Sequence, residues 1–258
     1  SLKVLLELAN NDTIPFVVKQ GYNKKAFDIL ADYQNDSLAR MNLFKVANRF
    51  YNMDDSFNYI KTVEFVLKNS LEAKDTLSLA KAYAYKGDYF GTRLISDSAF
   101  LNYYKSEKLY LIKDDLYKVA RTRLNKANLQ YAESDLLGSE KSVFNALRIL
   151  KYQKANDLLY ELYNLLGILY TDLEEYDKSI DYHTKALANA TDDKIPSVYQ
   201  SRATSLNNIG YVYQNLKNYQ KAQEYYQEGL RQKNLKYDKP SLYAMLLDNL
   251  AYSRFRLR

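Results

Sequence analysis

A helical hairpin that recurs along a chain is a strong constraint, because each copy leaves an apolar face that only the next copy can cover. The clearest copy here runs from Tyr160 to Ala190, YELYNLLGILYTDLEEYDKSIDYHTKALANA. Gly167 in its first predicted helix and Ser179 and Ala186 in its second lack bulk, so the two backbones can approach closely. Tyr163, Leu166, Tyr170, Tyr176 and Ile180 fill the space around those contacts. Tyr83, Gly87, Phe90, Ala99, Tyr103 and Ser106 stand at the same offsets as Tyr163, Gly167, Tyr170, Ser179, His183 and Ala186. Leu206, Ile209, Gly210, Tyr213, Tyr219, Ala222, Tyr226 and Gly229 repeat the pattern once more. Taking Gly87, Asn128, Gly167, Gly210 and Ala251 as equivalent small positions gives spacings of 41, 39, 43 and 41. A period near 40 predicts an all-α array of helix pairs, an α-solenoid.

Residues 1–35 read as an N-terminal cap: a short helix through LKVLLEL, then a second capped by Asp12 or Thr13 with Pro15 in its first turn. The array covers 36–258, with repeats at 36–73, 75–112, 115–157, 160–194 and 199–234 and a half-repeat at 242–258, about five hairpins in all. In the first of these, Phe57, Ile60, Val63 and Leu67 are the expected inward face of the second helix. In the third, Glu140-Lys141-Ser142-Val143 matches Asp177-Lys178-Ser179-Ile180 if the turn holds two extra residues. Asp54-Asp55, Glu174-Glu175 and Asp192-Asp193 fall in predicted turns as helix caps. A solenoid is expected to close on a polar helix, yet Leu242, Met245, Leu246, Leu247, Leu250 and Phe255 make the last one apolar. The expectation is a natural protein that continues past Arg258, a start at Ser1 made by processing or excision, and an exposed half-repeat able to support a dimer.

Only 7 Gly and 3 Pro leave little turn chemistry for a β-rich fold, while 47% hydrophobic residues suffice for a continuous core. The 27 tyrosines suit a repeat array, since each ring packs between helices with its hydroxyl near water. The net charge of +6 is spread with both signs interspersed, which describes solvated helix faces rather than a nucleic-acid stripe. Without cysteine there is no disulfide, zinc-thiolate site or thiol catalysis, though no compartment follows. No apolar run reaches the roughly 18 residues of a membrane span, and Ser1-Leu2-Lys3 does not open a signal peptide. His183, the one histidine, cannot form a multi-histidine metal site and reads as a residue packed between helices. No phosphate loop, nucleophile elbow or Ser-His-Asp arrangement can be assembled, so no catalysis, cofactor or metal is expected of this chain.

The offsets of Tyr163, Leu166, Gly167, Tyr170, Tyr176, Ser179, His183 and Ala186 resemble the tetratricopeptide-repeat motif, over roughly residues 36–258. The resemblance implies a right-handed superhelix whose first helices line a concave groove for peptides or partner proteins. Phrases such as AYAYKGDYF, LYNLLGILY and SLNNIGYVYQNLKNYQKA also resemble the N-terminal sensor region of bacterial tetratricopeptide-containing signalling proteins. There such arrays precede a membrane span and a histidine kinase or helix-turn-helix output domain.

If first helices line the groove, the residue three before each small position points into it. Those residues are Asn125, Asn164, Asn207 and Asp248, a ladder able to pair with successive peptide groups. One step along stand Asp88, Leu129, Ile168, Tyr211 and Tyr252, with Thr171, Gln214 and Phe255 beyond. Only Lys81 occupies a position suited to clamping a terminal carboxylate. The expected function is non-catalytic binding of a peptide or protein segment, as the periplasmic sensor region of a membrane-bound signalling protein. The alternatives are a soluble cytoplasmic scaffold and a cytoplasmic receptor for a signalling peptide that controls transcription.

Overall fold

The computed structural model describes residues 1–11, 13–190 and 196–258, with residues 196–200 described by their backbone alone. Asp12, one of the two expected caps, and the Asp192-Asp193 turn lie outside the described residues. Among the described residues the regular secondary structure is all α-helix. The helices are α1 (Leu2–Leu8), α2 (Phe16–Ala31), α3 (Ser37–Asn52), α4 (Ser56–Glu72), α5 (Thr76–Gly91), α6 (Ser96–Ile112) and α7 (Leu116–Ala132). They continue with α8 (Leu136–Leu150), α9 (Asn156–Asp172), α10 (Tyr176–Asn189), α11 (Pro196–Asn215), α12 (Tyr219–Leu230), α13 (Leu235–Asp238) and α14 (Pro240–Arg256). Residues 1–129 and 130–258 form two compact units. Thr13 caps nothing: its backbone N–H and hydroxyl both donate to Asn11 Oδ1, and α2 begins behind Pro15, which stands at the N-cap. Gly21 does not interrupt α2.

The turns carry the period. Asp54, Lys74, Leu94, Asp114 and Ser134 stand 20 residues apart and all adopt the left-handed conformation, with φ between 51° and 63°. Glu174 and Lys217 do the same. No glycine has positive φ, so the turns are made by residues for which this conformation is unfavourable. Two sets of hydrogen bonds offset that cost. The next residue's N–H reaches the carbonyl five positions back, as in Asp55 to Phe50 (2.9 Å), Asp75 to Ser70 (2.9 Å) and Asp115 to Tyr110 (3.0 Å), closing the helix with a Schellman motif. That same residue then caps the next helix, with Asp55, Asp75, Asp115, Asp135 and Asn218 each accepting from the backbone N–H three residues on.

Packing corrects the register of the third repeat. Asn128 is exposed, whereas Ala127 beside it is fully buried. With Ala127 in its place the small positions are Ala47, Gly87, Ala127, Gly167 and Gly210, spaced 40, 40, 40 and 43. The residues 12, 16 and 19 further on are then buried in every repeat, from Tyr59, Val63 and Val66 to Ala222, Tyr226 and Gly229. The third repeat contributes Ser139, Val143 and Ala146, so its turn holds no extra residues and Ser139, not Ser142, matches Ser179. In the first repeat Tyr59 replaces the expected Phe57, which faces solvent. The glycines are demanded by the ring opposite. A Cβ on Gly87 would lie 2.5 Å from Tyr103, on Gly167 2.5 Å from His183, and on Gly210 2.5 Å from Tyr226.

In residues 1–129 the core gathers Phe27, Leu30, Leu43, Val46, Phe50 and Val63. In residues 130–258 one cluster joins Ala203, Ala222, Tyr226, Leu235, Leu246 and Leu250 from α11 to α14. Leu246 and Leu250 face inward, while Met245, Leu247, Tyr252 and Phe255 on the same helix are exposed. Ala251 is exposed as well, unlike Gly210. Urea denaturation checks this account of turns and contacts. Gly167→Leu is expected to lose about 1–3 kcal/mol by overpacking against His183, and Leu94→Gly, at an exposed left-handed position, to gain about 0.5–1 kcal/mol.

Candidate functional site on the first helices

Within residues 1–129 the first helices of the hairpins meet through polar side chains. Asp88 on α5 accepts from the Tyr103 hydroxyl (2.8 Å) and from Asn125 Nδ2 on α7 (3.0 Å). Loss of water around this carboxyl raises its pKa to about 6, although both donors favour the charged form. Asn125 is therefore engaged with the preceding first helix, and the corrected register puts the buried Leu124 three residues before the small position. Lys81 stands over aromatic rings, its Nζ 4.4 Å from the centroid of Phe44 and 5.5 Å from that of Tyr85. Burial, and then the charges of Lys118 and Lys45, lower its pKa. Leu129 is buried in a small cluster with Ala99 and Tyr103.

Within residues 130–258 the amides join into a relay across α14, α11 and α9. Asn249 Nδ2 donates to Asn207 Oδ1 (2.9 Å), and Asn208 Nδ2 donates to Asn164 Oδ1 (3.1 Å). Asn207 Nδ2 closes the chain with a longer 3.5 Å contact to Asn208 Oδ1 and lies 3.6 Å from Met245 Sδ. The two bonds between helices both run from the later helix to the earlier one, from α14 to α11 and from α11 to α9. Asn207 is only 6% exposed, whereas Asn164, Asn208 and Asn249 are half-buried. Asn208 and Asn249 were not among the expected groove residues. Asn208 stands two before the small position Gly210, the offset Asn125 occupies in the corrected count, and Asn249, like both, reaches back to the preceding first helix.

The remaining candidates divide. Tyr211 (45% exposed), Asp248 and the half-buried Ile168 present surface. Tyr252 is exposed but leans toward α12, edge-on to Tyr219 at 6.4 Å, and Phe255 is 74% exposed. Thr171 turns into its own hairpin, donating to Gly167 O (2.9 Å) and lying 2.7 Å from Ser179 Oγ. Gln214 Oε1 accepts from both Tyr226 and Ser253, at 3.2 Å each, and so ties α11 to α12 and α14. His183 lies over Gly167 at 1% exposure with Nδ1 lacking a partner, and burial lowers its pKa to about 4. Among the described residues no group of three or more His, Cys, Asp or Glu could hold a metal ion. Among the same residues no helix is long and apolar enough to cross a membrane.

Two stretches, residues 162–196 and 203–234, match family models described as tetratricopeptide repeat. The chain carries tetratricopeptide repeats. Solved structures of tetratricopeptide type share the fold over most of its length. BtubC (BKLC) from P. vanneervenii aligns with a TM-score of 0.73 at 17% identity, over 87% of this chain and 93% of that one. The apo form of RapI aligns with a TM-score of 0.70 at 16% identity, over 91% of this chain and 65% of that one. A Rap protein complexed with Competence and Sporulation Factor aligns with a TM-score of 0.63 at 13% identity, over 94% and 71%. No curated protein matches the sequence.

Within the tetratricopeptide repeats the amide relay divides into a structural and an open part. Asn207→Ala removes the buried amide that holds Asn249 and is expected to cost about 1–3 kcal/mol in urea denaturation, while Asn164→Ala leaves stability nearly unchanged; equal losses would contradict the assignment. His183 has its own signature in pH. Its folded pKa of about 4 lies below the ordinary 6.5, so its stabilisation is complete above 6.5 and is lost as pH falls toward 4. Asp88 works in the opposite sense, since a folded pKa near 6 adds stability as pH falls from 6 toward 3.8. His183→Phe keeps a flat ring over Gly167 and is expected to lose less stability than the parent between neutral pH and about pH 4.5, as read by denaturation at each pH.

Proposed function

We propose that this tetratricopeptide-repeat chain recognises an extended peptide or protein segment on the first-helix face of residues 130–258, and that it does so without catalysis. The amide relay carries this reading. Its polarity leaves Asn164 Nδ2 without an acceptor at one end and Asn249 Oδ1 without a donor at the other, among the described residues. A peptide backbone offers the complementary carbonyl and N–H groups, and recognition of backbone alone tolerates varied side chains. Tyr211 and Ile168 beside the relay supply apolar contact for one or two anchors. The Rap neighbour solved with Competence and Sporulation Factor supports ligand binding by this fold.

In the finer form of the proposal the array is the extracytoplasmic sensing region of a membrane-bound signalling protein with a histidine kinase or helix-turn-helix output. The Rap likeness keeps a cytoplasmic signalling-peptide receptor beside it. A soluble scaffold would use the same face. Alkaline phosphatase fused behind Arg258 in the parent protein is active if the array lies outside the cytoplasm and inactive otherwise. Self-association through the exposed side of α14 is a separate expectation that sedimentation velocity reads directly, and a monomer at all concentrations rejects it.

A peptide-display selection against the chain, followed by fluorescence anisotropy, tests the binding face. Asn164→Ala and Tyr211→Ala are each expected to weaken the selected peptide about tenfold with the melting temperature unchanged. Unaltered affinity in the double variant, or a selection that yields no binder, rejects the reading.

A further inference from the structure

A cavity of about 620 Å³ opens between α1 and α3, within residues 1–129. Leu2, Leu6 and Leu38 form its apolar side, and Lys3, Lys45 and Arg49 bring three cations to it. Glu7, the one carboxylate among its described lining residues, is exposed and makes no ion pair with Arg49. The size is that of a small-molecule site.

Two arginines on α3 show what is missing. Arg40 is satisfied throughout: its guanidinium holds Asp75 at 3.0 and 3.1 Å and donates to Asn35 O (3.1 Å) and Asn35 Oδ1 (2.8 Å). Arg49 lines the cavity with Nε and Nη1 buried and without a partner. Burial lowers its pKa, and among the described residues no neighbouring acid acts against that. Two guanidinium nitrogens taken out of water without a partner are costly, and a carboxylate can pair with a guanidinium at two points. The leucine wall suits a hydrocarbon body better than a bare inorganic anion.

We infer that this cavity binds an amphipathic carboxylate, an apolar body carrying one carboxylate at its end, with Arg49 as the partner of the anion and Lys45 as a supporting charge. A free aliphatic acid and an acidic residue flanked by leucine-like side chains in a peptide share this chemistry.

Calorimetry on the full chain with octanoate, 1-octanol and the peptide acetyl-Leu-Leu-Glu-amide tests the site. Octanoate or the peptide is expected to bind, with octanol at least about tenfold weaker. Arg49→Met is expected to weaken the anionic probe about tenfold and to raise the melting temperature, because an unpaired buried charge is removed. Tighter binding of octanoate identifies a free acid as the ligand class, and tighter binding of the peptide identifies a protein segment. Absence of binding by both anionic probes, equal affinity for octanol and octanoate, unchanged affinity in Arg49→Met, or a lowered melting temperature in that variant overturns the inference. Should Arg49→Met fail to fold, Lys45→Gln at an exposed position provides the same reading. A few-fold loss of octanoate affinity supports the site, and no loss overturns it.

Discussion

The left-handed turn is the interaction on which the rest of this chain depends. A helix of about 17 residues must stop, reverse and restart within a few residues, and here one backbone arrangement does all three. Its cost is the positive φ of a residue with a side chain, at Asp54, Lys74, Leu94, Asp114 and Ser134. Its return is a closed carbonyl end on one side and a capped N–H end on the other, shared by a single following residue that is Asp or Asn in five of seven cases. From Asp54 to Ser134 the turn within a hairpin and the turn to the next hairpin are built alike, so small residues arrive at the same depth in each repeat there. Gly87, Gly167 and Gly210 then meet the rings of Tyr103, His183 and Tyr226 without a shift in register.

Much of this was legible in the sequence, and the exceptions have physical causes. The hairpin offsets from Gly167 to Ala186 identify the repeat because close helix packing leaves few residue types at those positions. The third copy misled because Ala127 and Asn128 are both small and adjacent, and only burial shows which of them is enclosed. The turns were hidden for the opposite reason. They use no glycine, so Leu94 and Lys74 give no compositional sign of a left-handed backbone. Asn164 and Asn207 were found from spacing alone, but spacing does not reveal that Asn208 and Asn249 engage them. A hydrogen bond between side chains 42 or 44 residues apart is a property of packed helices.

Buried polar groups show the same contrast between satisfaction and openness. Arg40, Ser179 and Gln214 have their hydrogen bonds completed inside the fold and act as struts between helices. Arg49 and His183 do not, and their surroundings suppress the charged forms. The first of these borders an open cavity and the second a closed helix contact. The same electrostatic situation thus has different meanings, decided by whether anything can enter.

The twenty-residue rhythm of the turns also bears on how such a chain can change length. Lys74-Asp75 and Asp114-Asp115 are equivalent junctions, each a left-handed residue followed by a capping aspartate. Excising the stretch from one to the other would rejoin like with like and preserve every later face, whereas excising half of it would invert inside and outside along the remaining helices. Gene duplication and loss can therefore act on this protein in whole hairpins at little structural cost, and the smallest heritable step in its length is the pair rather than the helix.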